Sequence, residues 1–203
     1  MLELEVIADA ATAAIVLDPV KSRLLHELAQ PASAASLAAR LGVARQNVNY
    51  HLRLLEERKL VSVAEERVWG GITERLFRAS AASYVISPLA LGAAAADPAR
   101  AADRLSAGYL IALAARVVRE VGELWDRARS ESKRLATLAI DTEIQFRSAA
   151  QRAAFTAELT TAITTLVAKY HDGAAEGGRS HRLIIAAHPL PRAPAGAARS
   201  ARN

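Results

Sequence analysis

SAASLAARLGVARQNVNYHLRLLEERKL, residues 33–60, holds two short amphipathic helical patterns joined by a glycine, and its reading decides the fold. Ser33 stands at an N-cap position, and Leu37, Ala38 and Leu41 fall at the spacing of one buried helix face. Gly42 ends that pattern. In the second pattern Val48, Leu52 and Leu55 repeat at i, i+4 and i+7, which turns Arg45, Gln46, Asn47, Asn49, Tyr50 and Arg53 outward or to the flanks. These residue types suit duplex DNA. Gln and Asn amides can bond adenine in a bidentate way, Arg can bond guanine or phosphate, and Tyr can reach a phosphate or pack on a thymine methyl.

The flanks agree with a helix–turn–helix. Downstream, Leu60-Val61-Ser62-Val63 and Leu76-Phe77-Arg78 read as strands, with Trp69-Gly70-Gly71-Ile72 as a hairpin tip. That makes a winged helix. Arg67, Arg75 and Arg78 lie along the hairpin, where a wing meets the sugar–phosphate backbone, and Glu56, Glu57, Glu65 and Glu66 are expected to turn away from it. Upstream, Asp18-Pro19 places a carboxylate cap before a proline at the first helical position, and Val20, Leu24, Leu25 and Leu28 mark a buried stripe. Residues 5–16 read as a first helix whose Val6, Ile7, Ala10, Ala14 and Ile15 leave an apolar face for a second subunit.

LDPVKSRLLHEL and ARQNVNYHLRLLEERKLV resemble, respectively, the helix before the DNA-binding pair and the recognition helix of the ArsR-type winged-helix transcriptional regulators. The resemblance covers about a third of the chain. It implies a homodimeric, operator-binding repressor or activator. Where the family often carries a serine, this chain has Ala44 or Asn49. Metal-sensing members of the family use cysteine ligands, and this chain has no cysteine, so metal sensing does not carry over.

Composition bounds the reading without deciding it. A length of 203 residues allows one or two domains. The 52% hydrophobic content is inflated by alanine, and no run approaches the ~18–20 apolar residues of a membrane span. The acidic opening MLELEV does not read as a signal peptide, and zero cysteine excludes a disulfide framework and thiolate metal sites, so a cytoplasmic, bacterial-type protein is expected. The net charge of +5 lies behind the winged helix: residues 1–92 carry ten basic and ten acidic side chains, and residues 93–203 carry sixteen and eleven. DNA affinity must therefore come from local placement.

Beyond the wing, residues 87–97 read as an alanine-rich linker or short helix that ends at the Asp97-Pro98 helix start. A long helix is expected over 98–134, with Leu110, Val117 and Leu124 in one stripe and Ala114, Val121 and Ala128 in another; one stripe would face its own domain and the other a second subunit. Residues 138–146 alternate strictly and predict a half-buried strand. Ser148-Ala149-Ala150-Gln151 is a capping box, opening a helix that ends near His171-Asp172-Gly173. Leu183, Ile185 and Ala187 predict a final strand paired with 138–146. The tail beyond Pro189 has too little to bury, and disorder is expected there.

Chemical sites are sparse. Asp141 and Glu143 share a strand face but read as solvated carboxylates rather than an acid–base pair. His171, Asp172, His181 and His188 lack a close metal-ligand spacing, so no metal site is assigned. His51 beside the buried stripe suits packing or a phosphate contact. The pairs Gly70-Gly71 and Gly177-Gly178 lack the context of phosphate loops and read as turns. Tyr109, Trp125, Phe146 and Phe155 could wall a pocket for a small apolar organic effector, or simply be core.

The expected protein is therefore mainly α with a small β component. Residues 1–86 form a winged helix-turn-helix domain, 87–97 a linker, 98–189 a C-terminal α-β-α-β dimerisation and possible effector domain, and 190–203 a disordered tail. The expected function is sequence-specific binding of a double-stranded DNA operator by a homodimeric repressor, through Arg45, Gln46, Asn47, Asn49, Tyr50, Arg53, Arg67 and Arg75. No enzyme activity, cofactor or membrane partner is expected. The rival reading is a protein-interaction module that docks through the winged helix and the long helix, but such a surface would show an apolar patch where this one is polar.

Overall fold

The structure is a computed structural model that describes residues 1–69 and 71–191. Residues 192–203, with most of the expected tail, lie outside the described residues. The chain divides into two units, Met1–Leu135 and Ala136–Asn203. The division falls after the long helix, which thus keeps company with the winged helix rather than with the residues that follow it.

The first unit starts with a strand, β1 (Leu2–Ile7), then α1 (Ala10–Leu17) and α2 (Pro19–Glu27). Asp9 caps α1 by accepting from the Thr12 amide, and Asp18 caps α2 by accepting from the Val20 and Lys21 amides, with Pro19 at the first turn. A two-residue strand, β2 (Ala32–Ser33), leads into α3 (Ala34–Leu41), where the Ser33 hydroxyl accepts from the Ser36 amide and Gly42 closes the helix at φ +66°. α4 (Arg45–Glu57) follows. The wing is β3 (Val61–Trp69) and β4 (Ile72–Ala79), an antiparallel pair with Trp69 opposite Ile72 and a register shift between Val63 and Glu65. β2 adds to the other edge of β4.

Leu24, Leu28, Leu37, Val48, Leu55 and Leu60 are wholly buried in one core, and Leu52 is 1% exposed. Each such side chain contributes roughly 1.5–3 kcal/mol by leaving water. The stripe read on α2 holds at Leu24, Leu25 and Leu28 but not at Val20, which is 42% exposed at the first turn.

The segment read as a first helix over 5–16 is half strand. β1 pairs in parallel with β5 (Ala81–Ile86), from Leu2 opposite Ala81 to Ile7 opposite Ile86. Val6, Ile7, Ala10 and Ala14 mimic a helical stripe, but the Asp9 cap shows where helix can begin. The apolar face expected to meet a second subunit is partly spent within the chain: Ile7 is buried, and Val6 lies under Gly122 of the long helix.

Short 3-10 turns, Pro88–Ala94 and Pro98–Arg100, occupy the expected linker and the expected start of the long helix. The helix itself, α5 (Ala107–Ser130), begins only after the Ser106 cap. Its covered side is marked by Ala112 and Gly122. Neither expected stripe is buried: Val117, Val121 and Leu124 are 37%, 39% and 46% exposed.

The second unit holds α6 (Ala149–Tyr170). The Ser148 hydroxyl accepts from the Gln151 amide, and the Gln151 side chain reaches back to the Arg147 amide, close to the capping box expected. The α-β-α-β order is not formed. Residues 138–146 and 183–187 are in no strand and no ladder. Alternation fits a chain to a sheet but does not supply a partner, and without one the backbone groups stay unpaired.

Candidate nucleic-acid interface

α4 carries the site because its inner side is fixed so firmly. Val48, Leu52 and Leu55 are buried, and the 3.6-residue period then leaves Arg45, Gln46, Asn47, Asn49, Tyr50 and Arg53 exposed. All six helix residues singled out from the sequence stand on this outer side or its flanks, and Tyr50 is 66% exposed. Between the stripes, His51 is half-buried, its ring edge-on to Tyr50 at 5.5 Å, with a buried Nδ1 that has no hydrogen-bond partner.

The N-terminus of α4 is open. Ala44 occupies the cap position and makes no side-chain hydrogen bond. The first amides of a helix and its dipole together attract anions, so this end is suited to a phosphate.

The wing arginines are not free. Arg67 is bound to Glu65 through Nε at 2.8 Å and Nη2 at 3.0 Å. The pair holds the Glu65 carboxyl below its ordinary range and raises the Arg67 guanidinium above its own. Arg75 bridges Glu56 on α4 and Glu66 on β3, and stacks over the Phe77 ring at 4.8 Å. Three of the four glutamates expected to face away, Glu56, Glu65 and Glu66, are therefore the partners of these arginines. Sequence spacing held one signal for this: residues 65 and 67 lie on one face of a strand. The third wing arginine, Arg78, is half-buried with an unpartnered Nε. Among the described residues Arg45, Arg53 and Lys59 are exposed and carry no ion pair, so they are the cations at hand for phosphate.

Of the four aromatic residues proposed for an effector pocket, Tyr109 and Trp125 belong to the first unit and Phe146 and Phe155 to the second. Phe146 and Phe155 touch, with ring centroids 5.3 Å apart. Tyr109 and Trp125 are on one helix, sixteen residues and so about 24 Å apart, too far to wall one small site. An open depression of about 460 Å³ lies elsewhere, between the start of α3 and the wing, lined by Ser33, Ser36, Arg67 and Glu74 among others. Among the described residues no group of three or more His, Asp or Glu side chains could hold a metal, and no helix is long and apolar enough to cross a membrane. His181 and His188 contact the Arg179 and Pro189 carbonyls.

Residues 16–64 match the family described as a helix-turn-helix domain, which spans α2 through the first residues of β3. Among solved structures, the chain is similar to an ArsR-like transcriptional regulator from Rhodococcus sp. RHA1, at 26% identity over 61% of this chain and 84% of that one, with a TM-score of 0.30. Nothing among curated proteins matches the chain. Residues 16–64, with α3 and α4 at their centre, accordingly match a helix-turn-helix domain.

Proposed function

We propose that the protein is a sequence-specific DNA-binding transcriptional repressor that acts as a homodimer. One observation carries the reading: a helix anchored by Val48, Leu52 and Leu55 presents an unbroken polar surface of amide, guanidinium and phenol groups at the place where a helix-turn-helix meets the major groove. Gln46 and Asn49 are assigned to base edges. Arg45, Arg53, Tyr50 and the open helix end are assigned to phosphate or sugar, and Asn47 to the flank. Arg67 and Arg75 reach the backbone only if they leave Glu65 and Glu56.

The uncovered stripe of Val117, Val121 and Leu124 on α5 supports the dimer, because i, i+4, i+7 spacing is the seam along which two helices pack. Dimerisation sets two recognition helices over half-sites about one helical turn apart. Control by a small organic molecule, in a cytoplasmic setting, completes the proposal without an assigned pocket.

The test is footprinting on the DNA upstream of the protein's own gene. A protected pseudo-palindrome with Asn49-dependent sequence preference is the expected result. Protection of no sequence over any other, or equal loss of affinity for all sequences in Asn49→Ala and Arg53→Ala, would remove the proposal.

A further inference from the structure

The second unit has no buried residue anywhere in 136–191; Phe146, Phe155, Leu159, Ile163 and Ile184 are only half-buried. Yet its sequence is written for burial. Leu138 and Ile140 are each 83% exposed, Ile144 50%, Leu183 59% and Ile185 49%. Between Arg152 and Lys169, α6 has one charged side chain, Glu158. Its Thr156, Thr160, Thr161, Thr164 and Thr165 hydroxyls all donate to carbonyls four residues back, which leaves their methyls outward. A helix apolar on so much of its circumference belongs in an interior.

We propose that the occupant of this surface is the same unit of a second copy, with residues 138–146 of one chain pairing edge to edge with residues 181–188 of the other, twice about a two-fold axis. The inference rests on the homodimer reading and adds a second contact to it beside the α5 stripe. The two segments complement each other. The first carries Asp141 and Glu143 on one face with no basic residue; residues 179–188 carry Arg179 and Arg182 with His181 and His188 and no acidic residue. Alternation sets Arg182 and His188 on the face that would meet Asp141 and Glu143, and Leu183 and Ile185, with His181, on the face that would meet Leu138, Ile140 and Ile144. Such segments are each other's natural ladder partner, but they form no ladder within one chain. A second copy presents both, and two-fold symmetry satisfies both ladders at once.

The area suffices. α6 is roughly 33 Å long and about 10 Å wide, and a nine-residue extended segment spans about 30 Å. With the shorter segment these approach the ~800 Å² that each partner gives to a standard interface.

The experiment is sedimentation of the full chain in three preparations: Asp141→Arg with Glu143→Arg, Arg182→Glu with His188→Glu, and the two mixed after partial unfolding. Each variant alone sets like charges opposite each other in both ladders, and its dimer should weaken by roughly tenfold or more. In the mixed dimer both ladders regain opposite charges, so the mixture should recover. Equal dimerisation in all three, or weakening that mixing does not repair, overturns the proposal.

Because the chain has no cysteine, a second measurement is clean. Thr142→Cys combined in turn with Leu183→Cys, Ile185→Cys or Ala187→Cys should give, in at least one register, a disulfide between chains on oxidation. Disulfides only within a chain, or none in any register, overturn it. Operator binding by an undiminished dimer of the charge variants would overturn this interface and leave the homodimer reading standing; a monomeric unaltered protein would overturn both.

Discussion

A Cβ placed on Gly122 of α5 would stand 2.9 Å from Cγ1 of Val6 in β1. Valine is stiff about χ1, so it cannot swing clear as a long side chain would. Gly122→Ala therefore sets an overpacking cost of about 1–3 kcal/mol against a helix-propensity gain of about 1 kcal/mol. Thermal unfolding should show a net loss in the unaltered background. With Val6→Ala present the clash is gone, and the same substitution should stabilise. A loss of equal size in both backgrounds would mean that the contact is not what glycine serves here.

The two sides of α4 should separate cleanly. Leu52→Ala empties a site that is 1% exposed and should cost about 2–5 kcal/mol in unfolding free energy. Gln46→Ala and Asn49→Ala should stay within about 0.5 kcal/mol, because exposed positions away from caps and ion pairs matter little to stability. If either polar substitution unfolds the domain, its side chain is structural and not a reader.

Glu56 restrains Arg75. Glu56→Ala combined with Glu66→Ala should free that guanidinium of both its ion pairs, so DNA affinity should rise at low salt and the log–log salt slope should steepen by about 1. For the unaltered dimer, 3–4 phosphates neutralised per protomer predict a slope on the order of −6. An unchanged slope in the double variant would show that Arg75 does not reach the backbone.

Acid should loosen the first unit in a defined window. Asp9 and Asp18 are held below their ordinary 3.8 chiefly by side-chain hydrogen bonds from Thr12 and Lys21, and Asp97 chiefly by the Ala99 amide. A carboxyl with a depressed folded-state pKa adds stability above its unfolded value and loses it as pH falls through the folded one. Thermal melts should thus be flat from neutral pH down to about pH 4.5 and then drop. Asp18→Asn keeps a capping oxygen but has no proton to take up, so its drop should be shallower; an identical profile would exclude Asp18 from the acid response.

Local signals carried much of the fold. Asp18, Ser33 and Ser148 cap the helices expected of them, and Leu37, Val48, Leu52 and Leu55 point inward because a period of 3.6 allows little else. What escaped the sequence is non-local. β1 pairs with a strand nearly eighty residues away, and LELEVI does not announce that partner. Residues 138–146 announce a strand, but alternation cannot say whose edge it joins. At the site, the helix face was legible residue by residue. The wing was not, because charge alone does not tell whether Arg75 meets a phosphate or Glu56, a residue nineteen positions away.

α4 is the helix whose first turn Ala44 leaves unfinished. A serine there would close that end from within the chain, worth about 1 kcal/mol, and the turn would be equally firm in the free and the docked protein. With alanine, the last hydrogen bonds of the reading helix await an oxygen from outside. On the proposed function a phosphate of the bound DNA would supply that oxygen, so amide exchange in the first turn of α4 should slow in the complex relative to the free protein.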